Sequence, residues 1–197
     1  FSRGRYATDA SIYQVDPVGV VVPADEADVI AAIDLARESR VPILPRGGGT
    51  SQCGQTVGEA LVIDNSRNLN KVTAFDRDAM TVEVQPGIVL DALNAWLKPH
   101  GLWFPVDVST SAQATLGGMA GNNSCGSRSI AYGNMVHNVL GIDAVLSDGT
   151  SEHFGPFGAG AKRPLASMRS GELVSRLFGI AERERGEIER VWPRVLR

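Results

Sequence analysis

Two stretches of this sequence are poor in bulky side chains and rich in main-chain donors. The first is Pro45-Arg46-Gly47-Gly48-Gly49-Thr50-Ser51-Gln52-Cys53-Gly54-Gln55. A diphosphate needs several convergent N–H groups at close range. Glycine allows that approach because it has no Cβ and accepts positive φ. Consecutive N–H groups in a turn form an anion nest for which no lysine is obligatory. The second stretch, Thr110 to Gly126, is similar in kind. Thr115 with Gly117-Gly118 is placed to present N–H groups at a helix start, where an anion is favoured. Asn122 and Asn123 add amides able to hydrogen-bond a heterocycle edge. Two such loops in neighbouring blocks point to one shared ligand in the crevice between them.

Better-known phosphate loops do not fit. The fingerprint G-x-G-x-x-G fails at Gln52, and the G-x-x-x-x-G-K-[ST] pattern from Gly49 to Thr56 has Gln55 in place of lysine. Both also require a helix to follow, whereas Val57 to Asp64 leads into a strand. The competing structural reading is that the glycines are ordinary turn residues. Arg46 has two readings as well, pairing with phosphate or capping its own loop. Cys53 and Cys125 stand too far apart for a metal-ligand spacing and make no disulfide framework. His100, His137 and His153 are scattered, so no metal site is expected. Asn122-Asn123-Ser124 matches a glycosylation acceptor and is set aside as a chance match.

The elements that must position these loops follow from periodicity. Val18 to Val22 predicts a short strand ending at Pro23. Asp25 is the expected N-cap of a helix over about 26–39, with Val29, Ile30, Ile33 and Ala36 on its apolar face. Strands are expected over 41–44 and 60–64. Two more, 71–75 and 80–85, are joined by a polar turn at Asp76-Arg77-Asp78. A helix over 88–98 follows the break at Pro86-Gly87, and Pro99-His100-Gly101 ends it. A short helix over 116–121 is expected, with Thr115 as its cap. Strands over 139–146 and 150–154 flank the turn signal Asp148-Gly149. A loop over 155–164 precedes a helix over about 171–191. The sum is α+β: an arm over 1–17, blocks over 18–76 and 77–155, and a trailing segment over 156–197.

Composition narrows the class. The chain has 197 residues, 43% hydrophobic and 21% charged, which excludes wholesale disorder. Its 19 Lys+Arg against 22 Asp+Glu give a net charge of −3, a poor match to a nucleic-acid binder. No apolar run reaches the roughly 18 residues of a membrane span. The first residues are followed by no signal-type apolar region, and cytoplasm is the default setting. The unusual count is glycine, 22 in all, where ordinary usage of about 7% would give roughly 14.

With its loops quoted, the sequence resembles the PCMH-type FAD-binding domains of the vanillyl-alcohol oxidase/p-cresol methylhydroxylase family. Within it, the FAD-linked D-2-hydroxyacid dehydrogenases are the nearest match. These include D-lactate dehydrogenase, the glycolate oxidase FAD subunit and D-2-hydroxyglutarate dehydrogenase. The matching segments are Pro45 to Ser51, Pro105-Val106-Asp107, Ala114 to Met119, Asn122-Asn123, Tyr132-Gly133 and Val139-Leu140-Gly141 with Asp148-Gly149. The resemblance implies two α/β subdomains with FAD between them. It assigns the pyrophosphate to Arg46, Gly47, Gly48, Gly49, Thr50 and Ser51, closed by Gly54 and Gln55. It places Pro105, Asp107, Ala114, Thr115, Gly117 and Gly118 along the other side of the cofactor. Asn123 and Gly126 would approach the flavin end and Val139 the adenine–ribose half, with Asn122 also among the cofactor-binding residues. Some members attach FAD through a His where this chain has Gly49, so the cofactor is expected to be non-covalent. Cys125 stands where close relatives usually have Gly. The implied activity is oxidation of a hydroxy acid such as D-lactate, glycolate or 2-hydroxyglutarate. The catalytic base is expected in a substrate domain beyond a fragment of this kind. An iron–sulfur domain or subunit is the implied electron acceptor, and the location cytoplasmic or peripheral at the inner membrane. The alternatives are a flavin-dependent reductase of the enolpyruvyl-UDP-N-acetylglucosamine type and a non-catalytic nucleotide-binding module.

Overall fold

The arm that opens the chain contains a short helix, α1 (Ser2–Tyr6), then an antiparallel bridge between Thr8 and Gln14. The structure is a computed structural model that describes residues 2–155 and 169–192. Strand β1 (Gly19–Val21) leads to α2 (Glu26–Glu38), which begins where the Asp25 carboxylate accepts a hydrogen bond from the Asp28 amide at 3.1 Å. Helix α2 rests on the sheet and buries Ala32, Ile33 and Ala36. Strands β2 (Ile43–Arg46) and β3 (Leu61–Asp64) complete a parallel sheet in the order β1-β3-β2. Leu61-Val62-Ile63 forms the middle strand because a strand covered on both faces needs a continuous apolar run.

The ladder between β2 and β3 pairs Pro45 with Ile63 and Arg46 with Asp64. The strand expected to end at Leu44 therefore runs two residues further. Proline is tolerated there because β2 is an edge strand.

Strands β4 (Val72–Asp76) and β5 (Thr81–Val84) form the expected antiparallel hairpin, with Met80 at φ 53° in its turn. Helix α3 (Leu90–Leu97) follows, and a 3-10 turn over Lys98–His100 ends at Gly101. Leu90, Leu93 and Leu97 of α3 are buried with Ile88, Val106, Leu116, Met119 and Met135 in one apolar cluster. Burying each such side chain contributes about 1.5–3 kcal/mol. This cluster holds the second loop region from below. Three short helices shape that region: α4 (Leu116–Gly121), α5 (Ser129–Tyr132) and α6 (Met135–Asn138). The last two were not expected. Helix α6 ends at Asn138 with Val139 as its C-cap, so the strand expected from Val139 begins three residues later, as β6 (Ile142–Val145). It pairs antiparallel with β7 (Ser151–Phe154).

The expected C-terminal helix is two helices, α7 (Arg169–Arg183) and α8 (Arg185–Val191), separated at Glu184. The loop expected over 155–164 lies outside the described residues apart from Gly155. The chain divides into two compact units. One comprises Phe1–Val139 with Ser147–Thr150, and the other Leu140–Leu146 with Ser151–Arg197. Everything described in the next section belongs to the first.

Candidate functional site

Strands β2 and β3 end side by side, with Arg46 opposite Asp64. Loops that leave the carboxyl ends of parallel strands are the usual place for ligands in such sheets. Here the loop after β2 is Gly47 to Gln55, and the residue after β3 is Asn65. A cavity of about 680 Å³ has the loop from Pro45 to Ser51 on one wall and residues from Ala114 to Cys125 on another. That volume falls within the roughly 300–1,000 Å³ usual for cofactor and small-molecule sites.

The structure brings the two glycine-rich loops into direct contact. A Cβ at Gly47 would stand 2.1 Å from Thr115 Oγ1, and one at Gly48 2.1 Å from the Gln113 carbonyl oxygen. No side chain fits at either position while the loops keep this spacing. The Gln55 amide donates to Asn122 Oδ1 at 3.3 Å and links the same two loops again. Among the described residues, the amides of Gly47, Gly48, Gly49, Thr50 and Ser51 donate to no loop carbonyl. That leaves a run of consecutive donors beside the cavity, as an anion nest requires.

Helix α4 differs from its expectation in two respects. The amides of Leu116 and Gly117 are already engaged, donating to the carbonyls of Ile88 at 2.9 Å and Pro86 at 2.8 Å. Thr115 stands at the N-cap, but its hydroxyl makes no capping bond. Instead Thr115 Oγ1, at the seam between the loops, is buried without a partner among the described residues. Asn65 Oδ1, on the same cavity's wall, is also buried and unpartnered among the described residues.

Of the two readings of Arg46, the structure shows loop capping. Its guanidinium donates to the carbonyl oxygens of Thr8 at 2.8 Å, Thr56 at 3.0 Å and Tyr6 at 3.2 Å, and lies over the Tyr6 ring. Arg46 lines the cavity, but these bonds tie its guanidinium to the chain itself. The Tyr6 hydroxyl donates to Asp64 at 2.6 Å. Burial pushes its pKa above the ordinary phenol value, and the Asp64 carboxylate pushes it the same way.

Gly47, Gly48, Gly49, Thr50, Ser51, Gln55, Ala114, Thr115, Gly117, Gly118, Asn122 and Asn123 join Arg46 on the cavity wall. Five expected site residues stand outside that wall: Gly54, Pro105, Asp107, Gly126 and Val139. Gly54 packs under the Tyr13 ring. Val139 packs against the apolar cluster. Asp107 pins the turn at Gly126: it accepts from Ser127 Oγ at 2.9 Å and from the Arg128 amide at 3.1 Å, and pairs with the Arg128 guanidinium at 3.3 Å. The bond from the Arg128 amide, more than any other cause, holds the Asp107 carboxyl below its ordinary pKa.

The wall also includes residues absent from the expected set, among them Asn65, Pro86, Val108, Ser109, Thr110 and Cys125. Asn65 was findable, since it directly follows a predicted strand just as the first loop does. Among the described residues, no group of three His, Cys, Asp or Glu is placed to hold a metal ion. No described helix is long and apolar enough to cross a membrane.

A parallel sheet edge, an amide-rich loop and an opposing small-residue loop around one cavity define a nucleotide-cofactor domain of mixed α and β structure. The chain belongs to the FAD binding domain family, whose family model matches residues 17–155. Its cofactor is FAD. The chain is 38% identical to D-2-hydroxyglutarate dehydrogenase of Pseudomonas putida over its whole length, covering 20% of that protein. It is 33% identical to probable mitochondrial D-lactate dehydrogenase of Danio rerio over 98% of this chain and 38% of that one. A solved structure of alkyldihydroxyacetonephosphate synthase superposes with a TM-score of 0.62 at 28% identity, over 72% of this chain and 28% of that one. The chain thus spans about a fifth of the length of the D-2-hydroxyglutarate dehydrogenase it matches from end to end.

Proposed function

We propose that the cavity holds FAD non-covalently, with its diphosphate against the amides of Gly47 to Ser51, and that the whole protein oxidises a D-2-hydroxy acid. The observation that carries this reading is the seam between the loops. Glycines there let the two loops touch where a single Cβ would clash with Thr115 and Gln113, and, among the described residues, the amides beside that seam donate to no loop carbonyl. Gly118 and the side-chain amides of Asn122 and Asn123 are assigned to the opposite side of the cofactor. Arg46 shapes the phosphate loop rather than meeting phosphate. Gly49 offers no side chain for covalent attachment, which supports a dissociable cofactor.

Bound FAD supplies a hydride acceptor, while the domain supplies its position and surroundings. Several relatives are named for hydroxy-acid oxidation, including D-2-hydroxyglutarate dehydrogenase of Pseudomonas putida and glycolate oxidase subunit GlcD of Bacillus subtilis. This supports a hydroxy-acid substrate. The base that takes the hydroxyl proton is assigned to a region outside this chain. An iron–sulfur domain or subunit is the proposed electron acceptor, in the cytoplasm or at the inner face of a membrane.

The test is spectroscopic. The chain mixed with FAD and desalted should retain a flavin spectrum, and denaturation should release all of it into solution. The full-length protein should bleach anaerobically on addition of D-2-hydroxyglutarate, D-lactate or glycolate. A colourless desalted chain would overturn the cofactor reading, and a holoprotein that none of the three acids bleaches would overturn the substrate reading.

A further inference from the structure

The family match begins at residue 17, yet the segment before it hydrogen-bonds to the first loop at its start, its middle and just past its end. We propose that residues 6–13 are a positioning strap for the FAD diphosphate loop, with Asp9 as its principal pin; this rests on the assignment of that loop to FAD.

The strap meets the loop along its length. At the loop's start, the Arg46 guanidinium donates to the carbonyls of Tyr6 and Thr8. At its middle, the Ala10 amide donates to the Gly49 carbonyl at 3.0 Å, where Gly49 has φ +66°. Further along, the Tyr13 ring covers Gly54. Beyond Gln55, Thr56 is held twice. Its hydroxyl donates to Asp9 Oδ2 at 2.8 Å, and its carbonyl accepts from Arg46 at 3.0 Å. The other Asp9 oxygen accepts from the Ser11 amide at 2.8 Å, which fixes the carboxylate's direction.

A loop containing four glycines between Arg46 and Gln55 has little intrinsic order, since glycine loses more backbone freedom on folding than any other residue. Convergent amides attract a diphosphate strongly only when they are already aligned. The strap engages a carbonyl and side chains of the loop but none of the amides of Gly47 to Ser51. It therefore orders the donors while leaving them available. None of these strap residues needs to touch the cofactor.

The experiment compares Asp9→Ala, Asp9→Asn and a control remote from the loop, Ile33→Ala, in two measurements. One is the FAD dissociation constant by titration, and the other is hydrogen exchange at amides 47–51 without FAD. Asp9→Ala should weaken FAD binding about tenfold, the scale of one charge-assisted hydrogen bond, and speed exchange in the free protein. Asp9→Asn keeps one acceptor oxygen for Thr56 but loses the charge and sets its NH2 against the Ser11 amide, so it should recover only part of the affinity, between the parent and Asp9→Ala. Ile33→Ala should lower the melting temperature and leave both readouts unchanged. Thr56→Val removes the same bond more gently and replaces Asp9→Ala if that variant does not fold. Affinity within twofold of the parent together with unchanged exchange would overturn the strap, as would an equal loss of affinity in Ile33→Ala. If the parent chain binds no FAD, the cofactor assignment fails, and exchange at 47–51 alone still decides whether residues 6–13 order the loop.

Discussion

The buried Thr115 hydroxyl has no hydrogen-bond partner among the described residues. An orphaned buried hydroxyl costs about 1–3 kcal/mol, and its position at the loop seam makes a bound cofactor the natural source of compensation. Thr115→Val keeps the shape and removes the orphan. The variant should be more stable than the parent without FAD, by about 1 kcal/mol or ~3 °C in Tm, and should bind FAD more weakly. A scan of the free protein and a FAD titration test both halves; lower apo stability together with unchanged affinity would sink the argument. Thr115 and the glycines facing it were legible in the sequence because small residues in a cluster imply close approach. The bonding of Arg46 was not. Its guanidinium fork is set by the carbonyls of Tyr6 and Thr8, and a weakly patterned polar arm gives no sign of where those carbonyls will lie.

Elements with a clear period were readable, and those held by individual side chains were not. Helix α2 carries both an apolar face and a capping Asp25, so its start was readable to the residue. Helices α5 and α6 have four residues each, which is about one turn and too short to show a period. Anchors hold this region instead: the Asn134 amide donates to His137 Nδ1 at 3.0 Å at the start of α6, and Asp107 pins the turn before α5. The Asp107 pKa is lowered in the folded state. Its stabilising contribution is therefore present above the ordinary carboxylate value and is lost as pH falls through the depressed folded value. Asp107→Asn should be less stable than the parent near neutral pH, and the gap should narrow towards about pH 3. Urea unfolding of both proteins across that range measures it. A gap that stays constant with pH would show that the carboxylate's charge has no part in holding the turn.

Every residue lining the cavity belongs to the first compact unit, so cofactor binding and the folding of that unit are thermodynamically linked. The sheet edge, both loops and a shared crevice between them were legible; the particular pairing of Gly47 with Thr115, across 67 intervening residues, was not. Linkage makes the contact testable in the intact chain. A ligand present at a hundred times its dissociation constant stabilises the folded state by about 2.7 kcal/mol, or roughly 5–10 °C for a chain of this size. If the loops grip a diphosphate, FAD should raise the melting temperature by that amount, and ADP, which keeps the diphosphate, should raise it less and compete with FAD. FMN has a single phosphate and lacks the adenine half, so at equal concentration it should have the smallest effect. Equal shifts from FAD and FMN, with no competition by ADP, would place recognition on the isoalloxazine ring instead of on the amides of Gly47 to Ser51. The order FAD, then ADP, then FMN is thus the signature of a site built around the seam between the loops.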